Sequence, residues 1–245
     1  MAAVHFRAVL GDEIRALPLR MGGVSGLLLF AFIVVAFGIY VPWRWGFEFL
    51  NPMVLIAYAG VAMLFTGPVA AESFAAIHHL AADRPEVRRD ALWAKLLCSA
   101  AYGAGATTLL LAAGLATVHT GNWRGGPLLP EEAFLASLLL FTWSIALAVA
   151  SLAARIGVVC SALSTKRILR SGFLLLVLLA LMGLRHGPEE WRTRLALELT
   201  AERFPRLALI VCLHLLFVSA LLVRSAAGRL EEIARGTDSP LGLRS

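Results

Sequence analysis

None of the 16 aspartates and glutamates of this chain falls inside its six long apolar runs. An ion-coupled carrier needs a titratable or cation-coordinating group at depth, so this absence argues against one. Cysteine is equally sparse. Cys98, Cys160 and Cys212 are odd in number, far apart and set in apolar sequence, so they outline neither a disulfide framework nor a zinc site and read as packing residues. Lysine occurs twice against twenty arginines, a bias of genome composition rather than of chemistry. No G-x-x-x-x-G-K-[ST] sequence occurs, so no phosphate-cradling loop of that type is offered. There is no internal repeat and no low-complexity tract.

What the chain has is apolar length. Hydrophobic residues make up 59% and mean hydropathy is +0.79, against about 45–50% apolar content in soluble domains, which excludes a soluble fold. Apolar runs of about 20 residues satisfy their backbone in hydrocarbon only as helices. Spans are predicted at Gly22 to Val41, Met53 to Ala71, Leu96 to Val118, Ala133 to Ala154, Gly172 to Leu184 and Leu207 to Val223. The first is too long for a signal-peptide core and no small-residue cleavage site follows it, so it is expected to stay as a helix. The fifth has 13 uncharged residues, rising about 20 Å against a core of about 30 Å, so it must recruit Ile168 and Leu169 or stop short. The expected fold is an all-α polytopic membrane protein with six transmembrane helices, an N-terminal interfacial amphipathic helix and short external helices between spans 5 and 6. It forms a single domain over 1–245, with the interfacial helix at 1–20, the bundle at 22–223 and a disordered tail at 236–245.

The net charge of +6 does not signal nucleic acid, because the basic residues cluster at the ends of the apolar runs, where lipid headgroups meet them. Fifteen of the 22 lie in the N-terminus, the second and fourth loops and the C-terminus, which predicts both termini to be cytoplasmic in a multi-pass protein. Five of the other seven lie between Arg185 and Arg206. There Pro188 can start a helix, with Trp191, Leu195 and Leu199 on one stripe and Arg194, Glu198 and Glu202 beside it. A hairpin dipping into the outer leaflet and an ordinary surface loop both fit. At the N-terminus, Phe6, Val9, Leu10, Ile14 and Leu17 oppose Arg7, Asp12, Glu13 and Arg15, an interfacial pattern that Pro18 is expected to separate from the first span.

The loop from Glu72 to Lys95 carries the strongest functional signal. A helix is expected to continue from the second span past Glu72 to Asp83, break at the Pro85 turn and restart near Glu86, making a rigid hairpin beneath the membrane. Glu86, Arg88, Arg89 and Asp90 offer charged contacts to a soluble subunit, and Trp93 sits at interface level. A hairpin that only caps the bundle is the plain alternative. The order of Glu72, Pro85 and Lys95 resembles the corresponding loop of type-2 ATP-binding-cassette permeases, the ABC-2 family. Where that family has a charged stretch, this chain has Ala71-Glu-Ser-Phe-Ala-Ala-Ile77. The layout of helices is similar over nearly the whole chain.

The resemblance implies a permease subunit of an ATP-driven transporter, an exporter in a bacterial plasma (inner) membrane, with no cofactor on this chain. ATP and Mg would be held by separate ABC ATPase subunits. It further implies a homodimer, or a heterodimer with a similar permease. The docking surface for the ATPase would comprise Glu72, His78, His79, Arg84, Pro85, Glu86, Arg88 and Arg89. Other partners are membrane lipid, with no nucleic acid. Alternatives are a haem-exporter-type permease of cytochrome maturation, a non-transporting membrane scaffold, and an intramembrane serine hydrolase.

The hydrolase reading rests on Gly23-Val-Ser-Gly26 and His214, but Ser25 lies near one lip of the first span and His214 near mid-membrane, about two helical turns apart in depth. Gly22 and Gly26 also fit a close-packing G-x-x-x-G contact. His78 and His79 are adjacent and point about 100° apart on a helix, so they cannot chelate one metal as an i, i+4 pair does. Ser99, Tyr102, Thr107, Thr108, Thr142, Ser144 and His214 are candidates to line a substrate path. Small and hydroxylated residues, including Gly103, Gly105, Trp143 and Ser151 nearby, equally make helix-packing surfaces.

Overall fold

The computed structural model describes residues 2–20, 23–40, 52–75, 77–82, 85–120, 132–200 and 202–235, and among these every regular element is helical, with no strand. The helices are α1 (Ala2–Arg20), α2 (Gly23–Ile33, continued as π-helix over Val34–Tyr40) and α3 (Pro52–Phe74). A 3₁₀ turn (Ile77–Ala82) follows, then α4 (Pro85–Thr120), α5 (Glu132–Val159), α6 (Ala162–His186), α7 (Glu189–Glu198) and α8 (Phe204–Ala234). Gly22, Asp83, Arg84 and the expected tail at 236–245 lie outside the described residues.

Gly23–Tyr40, Pro85–Thr120, Glu132–Val159 and Phe204–Ala234 are long and apolar enough to cross a membrane, four among the described residues against the six expected. Of the two others, α6 carries Lys166, Arg167 and Arg170 in its first turns, which shortens its apolar part. α3 is a 23-residue helix at the centre of the bundle. The chain is therefore all-α, with the hydropathy of a membrane protein.

One expectation about breaks is corrected. Pro18 does not end α1, which runs on to Arg20. Proline removes one backbone donor, but Arg20 is bonded to Glu13 and Ser73, which holds the last turn in place. Gly23, the first residue of α2, has a φ of +60°, the left-handed region open to glycine at little cost. The fifth predicted span takes in Ile168 and Leu169 as part of a longer helix. Ser161 caps α6, its hydroxyl accepting from the Ser164 N–H, and the helix runs 25 residues, about 38 Å. The short helix expected between spans 5 and 6 forms at Glu189–Glu198 directly after Pro188, with Leu199 buried and Trp191 exposed.

α3, α4 and α5 pack on one another as the central triangle. α8 lies along α5, α6 along α3, and α1 along α4. Small residues let the triangle close. A Cβ added at Gly103 of α4 would meet the Thr66 hydroxyl of α3, and one added at Gly157 of α5 would lie 2.5 Å from the Phe74 carbonyl oxygen. The core has two parts. One holds Phe74, Ile77, Leu92, Leu96, Ala153, Val158, Leu169, Val223 and Leu230. The other, at the opposite end, holds Tyr58, Phe65, Leu110, Val118, Phe134, Leu199 and Phe204. There Phe204 meets Phe134 and Phe141 with ring centroids 5.3 and 5.8 Å away, which anchors the start of α8. Around this core the outer faces of α2 and α8 leave Leu28, Phe32, Leu213 and Phe217 more than half exposed, a surface suited to hydrocarbon rather than water.

Candidate functional site: the proline-started elbow and its charged clamp

The first core cluster marks the end of the bundle where the loop signal falls. α3 stops at Phe74, nine residues before the expected Asp83. The cause is packing: Phe74 is fully buried with its carbonyl against Gly157, and the next turns narrow to 3₁₀ winding so that Ile77 is buried beneath the helices as well. Pro85 then opens α4, where its missing N–H is no loss and its fixed φ suits a helix start, and Glu86 in the first turn complements the helix dipole.

From Pro85 to Thr120 the helix is unbroken for 36 residues, so elbow and predicted span are one rod. Pro85, Glu86, Arg88 and Arg89 line one wall of a groove of about 440 Å³, and Ala227, Leu230 and Glu231 of α8 line the other. Four of the predicted docking residues are thus brought together. Glu72 is directed elsewhere, with a carboxylate oxygen 2.5 Å from Lys166 Nζ of α6. His79 is exposed on the 3₁₀ turn. The side chain of His78 and all of Arg84 lie outside the described residues.

A second feature of this end was not legible as a site. Glu13 of α1 is buried, with one carboxylate oxygen bonded by Arg20 and the other 2.8 Å from Lys95 Nζ of α4. Arg20 also donates to the Ser73 hydroxyl at 2.9 Å, and Ser99 reaches that hydroxyl at 3.4 Å. Burial pushes the Glu13 carboxyl up, but hydrogen bonds from Arg20 and Lys95, with the charges of both, outweigh it and hold the carboxyl below its ordinary value. The cluster ties α1 to α3 and α4 at once. The seven-residue spacing from Glu13 to Arg20, two helical turns, was its one sequence signal. Lys95 lies 82 residues away from Glu13 and only the fold brings it in.

The predicted path residues do not converge on one channel. Thr107 and Thr142 are buried and donate to carbonyls of their own helices. Thr108 also donates within its helix, while accepting from the Trp143 indole of α5 at 3.0 Å. Tyr102 sets its ring edge-to-face on Phe65 at 6.0 Å, and Ser99 belongs to the cluster just described. Ser144 borders an apolar cleft of about 500 Å³ with Trp143, Leu140 and Leu216. His214 is exposed and its Nδ1 is 2.7 Å from the Ile210 carbonyl oxygen one turn back. Ser25 is exposed near the start of α2. These bonds are those of helix-packing surfaces, in which hydroxyls satisfy themselves locally.

No protein-family model, no curated protein and no solved structure matches this chain.

Proposed function

We propose that the chain is the membrane-embedded permease subunit of an ATP-driven exporter of the ABC-2 type, six-spanning, with both termini and the elbow in the cytoplasm of a bacterial cell. ATP and Mg are held by separate ATPase subunits, which seat on the groove between Pro85–Arg89 and the last turns of α8. The permease acts as a dimer, with itself or a similar chain.

One observation carries this reading. The charged elbow, the Lys95 clamp on α1 and the apolar length of α4 share a single uninterrupted helix. A push on Arg89 is therefore delivered to the span and to α1 without an intervening flexible joint. The 3₁₀ turn packed through Ile77 gives the elbow a fixed support. The bias of Lys and Arg toward this end supports its cytoplasmic placement.

The test is a photo-activatable cross-linker placed at Arg89 in the full chain, expressed in its own cell. The expected adduct is a chain bearing a P-loop ATPase sequence. Changing Arg88→Glu and Arg89→Glu together should abolish that association and the permease-stimulated ATP hydrolysis while leaving membrane insertion intact. Survival of both after the double change, or thiol labelling that places residues 80–90 on the outer face, sinks the proposal.

A further inference from the structure

On the opposite side of the last turns of α8 from the elbow groove lies a second cavity, of about 610 Å³, formed between α8 and the end of α5. Its polar lining is Arg155, Arg224, Ser225, Arg229 and Glu232, with Gly228 as floor and Val159 and Leu221 as its apolar edge. Arg155 is the informative member. Its Nη1 is buried without a hydrogen-bond partner. A buried guanidinium N–H left unpaired is costly, so a rearrangement of Arg155 that brings this nitrogen onto an acceptor in the cavity its side chain lines would be favoured. A charge kept only to fix membrane orientation needs no such burial.

The neighbouring charges do not supply that acceptor. Glu232 is paired with Arg229 at 2.8 Å. Arg224 is exposed and has no ion pair among the described residues. Three arginines against one carboxylate leave the cavity cationic. The planar guanidinium fork matches phosphate oxygens two at a time. Val159 and Leu221 are both half exposed or more, so the cavity is bordered by surface that a hydrocarbon chain would cover.

We propose that this cavity binds a phosphate group, with Arg155 and Arg224 as its ligating side chains and Ser225 as a hydroxyl donor. The apolar border fits a phosphodiester headgroup with acyl chains lying against α5 and α8, the arrangement by which basic pockets between membrane helices take anionic lipids. A soluble phosphate shares the same ligating chemistry. The inference does not depend on the ATPase reading, because it concerns only the occupancy of a cavity on this chain.

The experiment uses the purified full chain in uncharged detergent, titrated with phosphatidylglycerol, phosphatidylcholine or inorganic phosphate. Thermal unfolding and native mass spectrometry are the readouts. Saturable stabilisation and retained adducts with phosphatidylglycerol alone assign the lipid headgroup. An equal response to inorganic phosphate assigns the soluble source. Arg224→Gln, at an exposed position where folding is not at stake, should weaken the response about tenfold, and Arg155→Gln should do the same or more. Arg7→Gln, on the exposed face of α1, should leave it unchanged. Absence of a saturable response in the unmodified protein, an equal response to phosphatidylcholine, or an unchanged response in Arg224→Gln overturns the proposal.

Discussion

The same end of this bundle carries two clusters of charge built to opposite rules. Around Glu13, two cations and two serine hydroxyls close on one carboxylate, and each group has its partner within the protein. Around Arg155, three arginines share one carboxylate that is already taken, and a buried guanidinium nitrogen has no acceptor. Three helices are held together by the first cluster. The second borders a cavity. A saturated cluster acts as a fastening between elements, while an unsaturated one keeps free energy available for something that arrives from outside.

Separate substitutions break this comparison where it is strongest. Glu13→Ala leaves Arg20 and Lys95 facing each other with no counter-charge in a mostly enclosed space, which should cost about 3 kcal/mol, read as a lowered thermal midpoint in detergent. Arg155→Leu removes a half-buried guanidinium that has one nitrogen without a partner, so its change should stay within about 1 kcal/mol and be of either sign. Equal losses in the two variants would erase the distinction.

Lys95→Met deletes one charge-assisted hydrogen bond and should cost about 2 kcal/mol. The loss should largely disappear when Glu13→Gln is already present, as a double-mutant cycle would show.

Acid sharpens the contrast further. Because the folded Glu13 carboxyl titrates below its ordinary value near 4.5, its contribution is fully present above that value and lost as the pH falls through the folded one. The unmodified protein should therefore lose more thermal stability below pH 4.5 than Glu13→Gln does. The smallest effect is expected at the exposed Arg229–Glu232 pair, where Glu232→Gln should change stability by about 0.5 kcal/mol or less.

Much of the fold was written in apolar periodicity and much of the site was not. The helices near Gly23–Tyr40, Pro85–Thr120, Glu132–Val159 and Phe204–Ala234 follow from runs that only a helix can satisfy in lipid. Local chemistry also placed the helix start at Pro85 and the short helix after Pro188. Breaks were less readable. Pro18 is overridden by Arg20 holding the end of α1, and the stop at Phe74 depends on Gly157, which lies in another helix 83 residues on. Lys95 illustrates the general limit. Its place in the elbow could be read from the loop, yet its partner Glu13 sits on what looked like the solvated stripe of an amphipathic helix, and only tertiary packing joins them. Arg155 reads in sequence as one more basic residue at a span end. That one of its nitrogens is sealed from solvent depends on α8 crossing it.

The length of α4 sets a geometric requirement on the membrane around it. Thirty-six residues rise about 54 Å, whereas the hydrocarbon layer is about 30 Å thick. Even a steep tilt of 40° leaves an axial projection of about 41 Å, so in a membrane the helix extends past the acyl chains at one end or at both. The stretch before Lys95 takes up about 15 Å of that rod, with the α1 contact at its root. A sideways force at Glu86 would therefore act through a moment arm about the point where Glu13 grips Lys95.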